Sequence, residues 1–158
     1  MQLTRFTDLG LRAVMLLAAG EADGRRVTTK SIAAGANASE NHIAKAVSRL
    51  VELGLVSARR GRVGGLTLTE QGRHASVGWL VRRLEGDREV VECGGTNPCP
   101  LLPGCRLRRA LAEAKEAFYR ELDRYTVNDL ARDTSLPMLA LASPPGSQPP
   151  TTERNEHP

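Results

Sequence analysis

Three cysteines, all in one Pro- and Gly-rich stretch, are the residues best suited to chemistry. Cys93, Cys99 and Cys105 are separated by five residues each and are the only cysteines of the 158-residue chain. The prolines exclude a regular helix there, and the glycines allow sharp bends. A helical pattern begins directly after Cys105, so this thiol lies near a helix N-terminus, where the dipole favours a thiolate. Such a loop can turn three thiolates towards one centre.

Several chemistries can use cysteines in this arrangement. A disulfide framework fits poorly, because the count is odd and nothing marks the chain for secretion. Structural zinc usually takes four ligands and favours cysteines two to four residues apart. An iron–sulfur cluster takes several thiolates and accepts a ligand other than cysteine. The spacing therefore favours a cluster and leaves structural zinc and free or redox-active thiols open.

The charge of the chain is uneven along its length. Residues 1–80 carry 11 Lys and Arg against 6 Asp and Glu, whereas residues 81–158 carry 11 against 12. A basic first half is typical of a domain that binds a polyanion. No apolar run approaches the roughly 20 residues that a membrane span needs, and Arg5, Asp8 and Arg12 interrupt any signal-peptide core. We therefore expect a cytoplasmic protein that does not contact a membrane.

Residues 4–19 predict an amphipathic helix. Thr4 or Thr7 can cap its N-terminus, and Gly20 lies near its end. Apolar side chains recur at helical spacing and predict a buried stripe: Phe6, Leu9, Ala13, Val14 and Leu17. Asp8 lies in the first turn, where the helix dipole favours a carboxylate.

A helix-turn-helix is predicted next along the chain. It combines a short helix over residues 30–34, a tight turn over residues 35–38 and a second helix from Ser39 to about residue 53. The second helix of such a unit enters the major groove of DNA. Asn can bond adenine, Glu cytosine, and Lys guanine or phosphate, so its outer residues suit base reading: Ser39, Glu40, Asn41, His42, Lys45 and Arg49.

Residues 55–68 predict a β-hairpin with a basic tip. Arg and Gly concentrate at the hairpin tip. The glycines suit a turn with positive φ, and the arginines there have no part in a hydrophobic core. Narrow minor grooves attract inserted arginine, and glycines let the backbone approach phosphate. The hairpin is therefore interpreted as a wing with the following DNA contacts: Arg59, Arg60, Arg62 and Gly65.

The second half of the chain predicts two longer helices and a short one. They cover residues 76–85, residues 106–125 and a turn around residues 127–130. The 106–125 helix carries an apolar seam with nearly heptad spacing: Leu107, Leu111, Ala114, Phe118, Leu122 and Tyr125. This seam needs a partner face, so we expect the helix to pair with its copy, antiparallel or crossed, in a homodimer. Packing on its own winged helix is the alternative.

The predicted fold class is mostly α, a winged helix-turn-helix domain with a cysteine loop and a long dimerisation helix. The predicted divisions are a DNA-binding domain over residues 1–86, a cluster-binding loop over 87–105, a dimerisation region over 106–135 and a disordered Pro-rich tail over 136–158. No nucleotide loop and no Ser/His/Asp set supports catalysis, so we do not expect an enzyme.

Short pieces of sequence add a family resemblance. They are Leu3-Thr4-Arg5-Phe6-Thr7-Asp8, Leu11-Arg12, Ile32-Ala33, Ser39, Leu53-Gly54-Leu55-Val56, Arg59-Arg60-Gly61, Gly64-Gly65, Leu84-Glu85-Gly86 and the three cysteines. In combination they resemble the Rrf-type family of winged-helix iron–sulfur repressors over residues 1–135, and its nitric-oxide-sensing members most of all. The resemblance implies a homodimer that reads a palindromic operator, holds a 4Fe–4S cluster and represses genes for nitric-oxide detoxification.

The resemblance also bears on the fourth ligand of the cluster. Cluster-assembly regulators of the family have a His two residues beyond the last cysteine, whereas Leu107 stands here and cannot bind iron. The remaining oxygen or nitrogen candidates are Asp8, His42, Glu85 and Asp87, besides water or a small thiol. The nitric-oxide-sensing members imply an Asp in the first helix, reaching over from the dimer partner. Asp8 matches that position.

Two further residues are expected to take part in a switch. Carboxylate is a harder and weaker partner for cluster iron than thiolate, so the Asp8 corner is where a diatomic gas is expected to attack. Arg12, one turn later, can pair with the freed carboxylate, and Glu85 is the second switch residue. The alternative function is a zinc-stabilised or thiol-redox winged-helix regulator without a cluster.

Overall fold

The described part of the chain is mostly helical with one small sheet, which confirms the predicted fold class. The structure, a computed structural model, describes residues 2–59, 61, 64–86 and 88–132. Its elements are α1 (Arg5–Ala22), α2 (Thr29–Ala36), α3 (Glu40–Glu52), β1 (Val56–Arg59), β2 (Gly65–Leu68), α4 (Glu70–His74), α5 (Val77–Glu85), α6 (Arg106–Leu122) and α7 (Val127–Arg132). Within the described residues, no helix combines the length and the apolar character needed to cross a membrane. The predicted domain boundaries stay predictions, and the tail over 136–158 lies outside the described residues.

The first helix begins as predicted and runs slightly further. Thr4 caps α1, and its hydroxyl accepts the backbone N–H of Thr7 at 3.3 Å. Most of the predicted stripe is buried: Leu9, Ala13, Val14 and Leu17. The prediction for Phe6 is wrong, since its side chain is 36% exposed. The neighbouring Thr7 takes the inward position in the first turn and is completely buried.

The helix-turn-helix forms with a longer first helix than predicted. Thr28 and Ser31 form a reciprocal capping box at the start of α2. Gly35 remains helical, and Asn37 instead makes the turn with a left-handed φ of 49°. Asn tolerates this conformation better than most residues because its short polar side chain can bond locally. Ser39 caps α3, as predicted.

The hydrophobic core lies between α1, the helix-turn-helix, the wing and α5. Its largest fully buried side chains include Val14, Leu17, Val27, Ile32, Ile43, Leu50, Leu55 and Leu80. Helix α1 is central, because it contacts α2, α3, α5, α7 and β2. Each such side chain contributes about 1.5–3 kcal/mol on burial. A shift of α1 must therefore move the recognition helix α3 or break this packing.

The wing is an antiparallel pair of strands with a third segment along its edge. Arg59 at the end of β1 pairs with Gly65 at the start of β2, and Ala58 pairs with Leu66. Val27 forms an isolated bridge with Leu66, whose N–H donates to the Val27 carbonyl at 2.9 Å. The segment before α2 is therefore joined to the wing.

The short helix α4 was not predicted from the sequence, because five residues are too few for a recognisable period. Thr69 caps it and accepts the backbone N–H of Gly72 at 2.9 Å. A Cβ on Gly72 would lie only 2.1 Å from the Leu55 carbonyl oxygen. Helix α4 therefore packs directly against the chain that enters the wing.

Helix α6 packs on α5 through a residue outside the predicted seam. Tyr119 is 2% exposed and lies in a small apolar cluster with Val77 and Val81. Gly78 permits this approach, since a Cβ there would lie 2.3 Å from the Tyr119 carbonyl oxygen. Arg82 lies over the Tyr119 ring at 4.2 Å. Phe118 and Leu122 of the predicted seam also pack against this cluster. The second half of the seam therefore packs on the chain's own winged helix, the alternative considered for α6.

Candidate functional site

The recognition helix presents a polar face to solvent. One side of α3 is buried through Ile43, Ala46, Val47 and Leu50. The predicted base-reading residues at its N-terminal end are all exposed: Ser39, Glu40, Asn41, His42 and Lys45. This division of faces positions them for DNA contact, while their individual contacts stay predictions.

Ser39 holds the ring of His42 at the start of the recognition helix. The Ser39 hydroxyl accepts the His42 backbone N–H at 3.3 Å and lies 2.8 Å from Nδ1 of the same residue. If the hydroxyl donates to Nδ1, the neutral ring carries its hydrogen on Nε2. Nε2 is then a donor available to an acceptor such as a base or a phosphate oxygen. In this arrangement Ser39 acts partly by setting the hydrogen-bonding role of His42.

The wing places two of its four predicted DNA contacts within the described residues. Arg59 is exposed at the end of β1, opposite Gly65. Gly61 has a φ of 106°, as expected for a glycine in the turn. Arg60 and Arg62 lie outside the described residues.

The three cysteines lie in the loop that leads into α6. Cys93 is buried, Cys99 and Cys105 are half-buried, and all three are free thiols. The Cys99 N–H donates to the Cys93 carbonyl at 3.1 Å, which closes the loop between them. Cys105 is the N-cap of α6 and makes no side-chain capping bond. Its thiol therefore lies at the positive end of the helix, as the sequence predicts.

The surroundings of the loop favour the neutral thiol of Cys93 over its thiolate. Burial raises the pKa of the Cys93 thiol, and the neighbouring Cys99 adds to this effect. Arg108, in the first turn of α6, opposes it. Arg108 also donates from Nε to Glu89 at 2.9 Å, and this hydrogen bond lowers the pKa of the Glu89 carboxyl. The ion pair between Glu89 and Arg108 thus connects the start of the loop to the first turn of α6.

The donor set determines which metal group fits. Among the described residues, no group of three or more His, Cys, Asp and Glu side chains is arranged to hold a single metal ion. Cys99 and Cys105 are nevertheless close enough to Cys93 to influence its ionisation. A multi-iron cluster distributes its thiolates over several metal atoms and can accept one ligand of another type. The chemistry of these donors therefore fits a cluster with a further ligand from elsewhere.

The predicted fourth ligand, Asp8, lies apart from the cysteines of its own chain. It is half exposed in the first turn of α1, and Arg12 Nε donates to its Oδ1 at 2.8 Å. The groove beside it is formed by α1 and the end of α2, and none of the described cysteines lines it. Arg12 also reaches the Ala36 carbonyl at 3.5 Å. The open groove beside Asp8 is thus a surface separate from those lined by the cysteines.

Glu85 links the end of α5 to the start of α1. Its Oε1 accepts the backbone N–H of Thr4 at 2.6 Å and the Thr4 hydroxyl at 3.0 Å. Thr4 is the N-cap of α1, and Glu85 immediately precedes the cysteine-loop segment. Of the other proposed ligands, His42 is bonded to Ser39 on the recognition helix, and Asp87 lies outside the described residues. Glu85 therefore has a structural partner that the sequence did not indicate.

Comparisons with known proteins identify relatives along nearly the whole chain. The Rrf2 family, described as an iron-dependent transcriptional regulator, matches residues 3–133. The HTH-type transcriptional repressor NsrR of Streptomyces coelicolor is 55% identical over 139 residues, covering 88% of this chain and 94% of that protein. The HTH-type transcriptional regulator NsrR of Geobacillus kaustophilus is 42% identical, covering 84% and 91%. The structure of CymR, the global cysteine regulator of B. subtilis, is similar with a TM-score of 0.65 and 30% identity, covering 85% and 98%.

Proposed function

The chain belongs to the Rrf2 family of transcriptional regulators, and on that premise we propose that it is a homodimeric repressor that senses nitric oxide through an iron–sulfur cluster. The family resemblance, the DNA-binding winged-helix class and the expectation of a non-enzyme are confirmed, because the relatives are named as transcriptional regulators and repressors. The cluster, the gas signal, the dimer and the cytoplasmic location belong to the proposal.

DNA recognition rests on the exposed face of α3 and on the wing. Asn41, His42 and Lys45 would contact bases in the major groove, with Ser39 fixing the His42 ring. The wing would lie along the backbone and the adjacent minor groove. A two-fold dimer carries two such heads, so its operator would be a palindrome with half-sites about one helical turn, or a multiple of it, apart.

The wing should account for part of the salt dependence of binding. Arg60→Ala is expected to weaken operator binding and to reduce the slope of log K against log salt by about 2, since about 0.9 is lost per phosphate contact and a dimer has two copies. The affinity is measured over a salt series on a duplex that the wild-type dimer selects from a random pool. Arg120→Ala, on α6, serves as the charge-matched control. An unchanged affinity and slope would remove Arg60 from the interface.

The proposed dimer would use the open half of α6. Leu107 is 63% exposed although it begins the apolar seam. A groove of about 560 Å³ runs beside it between α6 and the preceding loop, and its lining includes Val90, Leu102, Leu111 and Ala112. Charged residues also line this groove, among them Arg106, Arg109 and Glu116. Apolar side chains at heptad spacing with charged neighbours suit the equivalent helix of a second copy.

Leu107→Glu is therefore expected to weaken the dimer. Each subunit would bring a carboxylate into the apolar seam, and we expect the dissociation constant to rise by roughly tenfold or more, about 1.4 kcal/mol. Sedimentation of the anaerobic protein over a concentration series measures this change. Ala117→Glu adds the same charge at an exposed α6 position outside the seam. Equal dimerisation of both variants and wild type would rule out the seam as the interface.

Within the dimer, Cys93, Cys99 and Cys105 would hold the cluster and Asp8 of the opposite subunit would complete its ligands. When bound, the cluster would supply iron atoms that react with nitric oxide. Arg12 lies 2.8 Å from Asp8 and thus competes with iron for the same carboxylate. If the bond between Asp8 and iron were lost, the carboxylate would be free to pair with Arg12. Two arrangements separated by a few kcal/mol are sufficient for such a shift.

Glu85 and α1 would carry the change to DNA. The Glu85–Thr4 hydrogen bonds join the segment before the cysteine loop to the start of α1. Helix α1 in turn packs against both helices of the helix-turn-helix. A palindrome tolerates little change in the separation of its two reading heads, so a movement of α1 would release the operator.

The observation that carries the proposal is a loop of three free thiols, ending at a helix N-terminus, on a chain of this family. Protein purified without oxygen should be coloured and contain iron and sulfide. Zinc without sulfide, or metal-free protein with reactive thiols, would support the alternative of a zinc-stabilised or thiol-redox regulator.

A further inference from the structure

Arg26 lies on the wing, although the sequence pattern did not single it out. Val27 bridges Leu66 of β2, and its carbonyl accepts the Leu66 N–H at 2.9 Å. The segment that contains Arg26 therefore runs along the edge of β2 opposite β1. It also leads directly into α2, the first helix of the helix-turn-helix. Arg26 is thus placed between the two DNA-binding elements of the chain.

Alternation along the strands determines which face Arg26 occupies. Successive side chains of an extended strand point to opposite faces. Val27 and Leu66 are both buried and point into the core. Their neighbours Arg26 and Gly65 therefore lie on the outer face of the wing. Arg59 pairs directly with Gly65 and shares that face. Both arginines are exposed.

Gly65 lies directly beside the Val27 carbonyl and the stem of Arg26. Gly65 is not among the glycines with positive φ, so its backbone conformation does not require it. A Cβ on Gly65 would lie 3.0 Å from the Val27 carbonyl oxygen, 3.4 Å from Arg26 Cγ and 3.8 Å from Arg26 Nε. The Val27 carbonyl is therefore the group that a side chain would crowd, whereas the Arg26 stem passes beside Gly65 at ordinary van der Waals distance. Arg26 and Arg59 thus flank Gly65 on the outer face of the wing.

We propose that Arg26 and Arg59 bind the phosphate backbone of duplex DNA from either side of Gly65. This inference rests on the proposed DNA-binding function. A guanidinium fork bonds phosphate oxygens in a bidentate manner, and two forks on one face can hold neighbouring phosphates. Arg26 would thus add one sequence-independent contact per subunit, beyond those of the wing tip and the recognition helix.

The first test is the salt dependence of Arg26→Gln. Removing one phosphate contact from each subunit should make the slope of log K against log salt shallower by about 2. The factor by which affinity falls between 50 and 200 mM salt should therefore be about tenfold smaller than for wild type. Anaerobic holoprotein is titrated onto a duplex that the wild-type dimer selects from a random pool. Arg124→Gln, just after α6, removes the same charge outside the wing and should match wild type.

The second test restores the charge at the same position. Circular dichroism and thermal melting of each variant confirm that the fold is retained, and Arg26→Lys should restore part of the salt slope because it returns the charge.

One result would overturn the inference. Wild-type affinity and salt slope in Arg26→Gln, with the wild-type protein binding the duplex normally, would exclude Arg26 and leave the proposed function intact. Failure of the wild-type holoprotein to select or bind any duplex would instead contradict the DNA-binding function itself.

Discussion

Replacing any one of Cys93, Cys99 and Cys105 with alanine is expected to abolish the cluster. Three thiols in one loop are the whole thiol supply of the chain, and the proposed fourth ligand, a carboxylate, would be weaker than a thiolate. Loss of one thiolate would leave iron with two thiolates and a carboxylate. We expect iron and sulfide to fall to background in protein purified without oxygen, and operator binding to fall to the level of nitric-oxide-treated wild type.

A control within the same loop separates loss of a ligand from loss of loop structure. Thr96→Ala changes an exposed position between the first two cysteines and should retain full iron and sulfide. Thermal melting then shows whether the cysteine variants keep the winged-helix core, whose buried side chains lie elsewhere in the chain. Full iron and sulfide in even one cysteine variant would contradict a shared three-thiolate site.

Asp8→Ala is expected to alter the cluster spectrum and to weaken operator binding strongly. If Asp8 binds iron of the opposite subunit, it joins the reading head of one subunit to the cysteine loop of the other. Removing it breaks this link in both halves of the dimer. A carboxylate that only stabilises the start of its helix would contribute about 0.3–1 kcal/mol and would leave the spectrum unchanged.

Arg12→Gln is the matched control for Asp8. Both changes break the ion pair between Arg12 and Asp8, which is a half-exposed i,i+4 pair worth about 0.5 kcal/mol or less. Only Asp8→Ala removes a ligand. Arg12→Gln should therefore keep the cluster spectrum and, because the carboxylate loses its competing partner, should need more nitric oxide to release DNA. Identical behaviour of the two variants would show that Asp8 only stabilises the N-terminal end of its helix and is not a cluster ligand.

A third substitution tests ligand strength at the same corner. Asp8→Cys offers a softer thiolate in place of the carboxylate, on a side chain shorter by one atom. If it reaches iron, the corner should react with nitric oxide more slowly than in wild type, because thiolate is the better partner for cluster iron. Stopped-flow absorbance of the anaerobic variant measures this rate. A faster reaction would argue against a labile carboxylate corner.

Caps and periodicity were sufficient to predict most helices of this chain. Thr4 and Ser39 cap α1 and α3 where the sequence places them, because a hydroxyl just before an apolar period has one favoured role. Turn geometry was harder. Both Gly35 and Asn37 can make the turn between the two helices, and only tertiary packing decides that Asn37 takes the left-handed conformation.

Contacts between distant segments could not be read from the sequence. Tyr119 is buried because Gly78 lets α6 approach α5, a pairing that separates the two residues by 41 positions along the chain. Glu85 likewise accepts a hydrogen bond from Thr4, the N-cap of α1, although the two residues are far apart along the chain. The cysteine spacing identified the candidate site, yet the proposed relation of Asp8 to that site would depend on a second copy, which a pattern within one chain does not define.

Nitric-oxide titration of the anaerobic holoprotein, with absorbance and operator binding followed in the same sample, tests the central claim most directly. The account predicts that the cluster absorbance changes and the operator is released over the same range of nitric-oxide concentration. It also predicts that the Asp8→Ala variant fails to hold the operator before nitric oxide is added. Operator binding that persists after the absorbance change is complete would contradict a repressor controlled by this cysteine site.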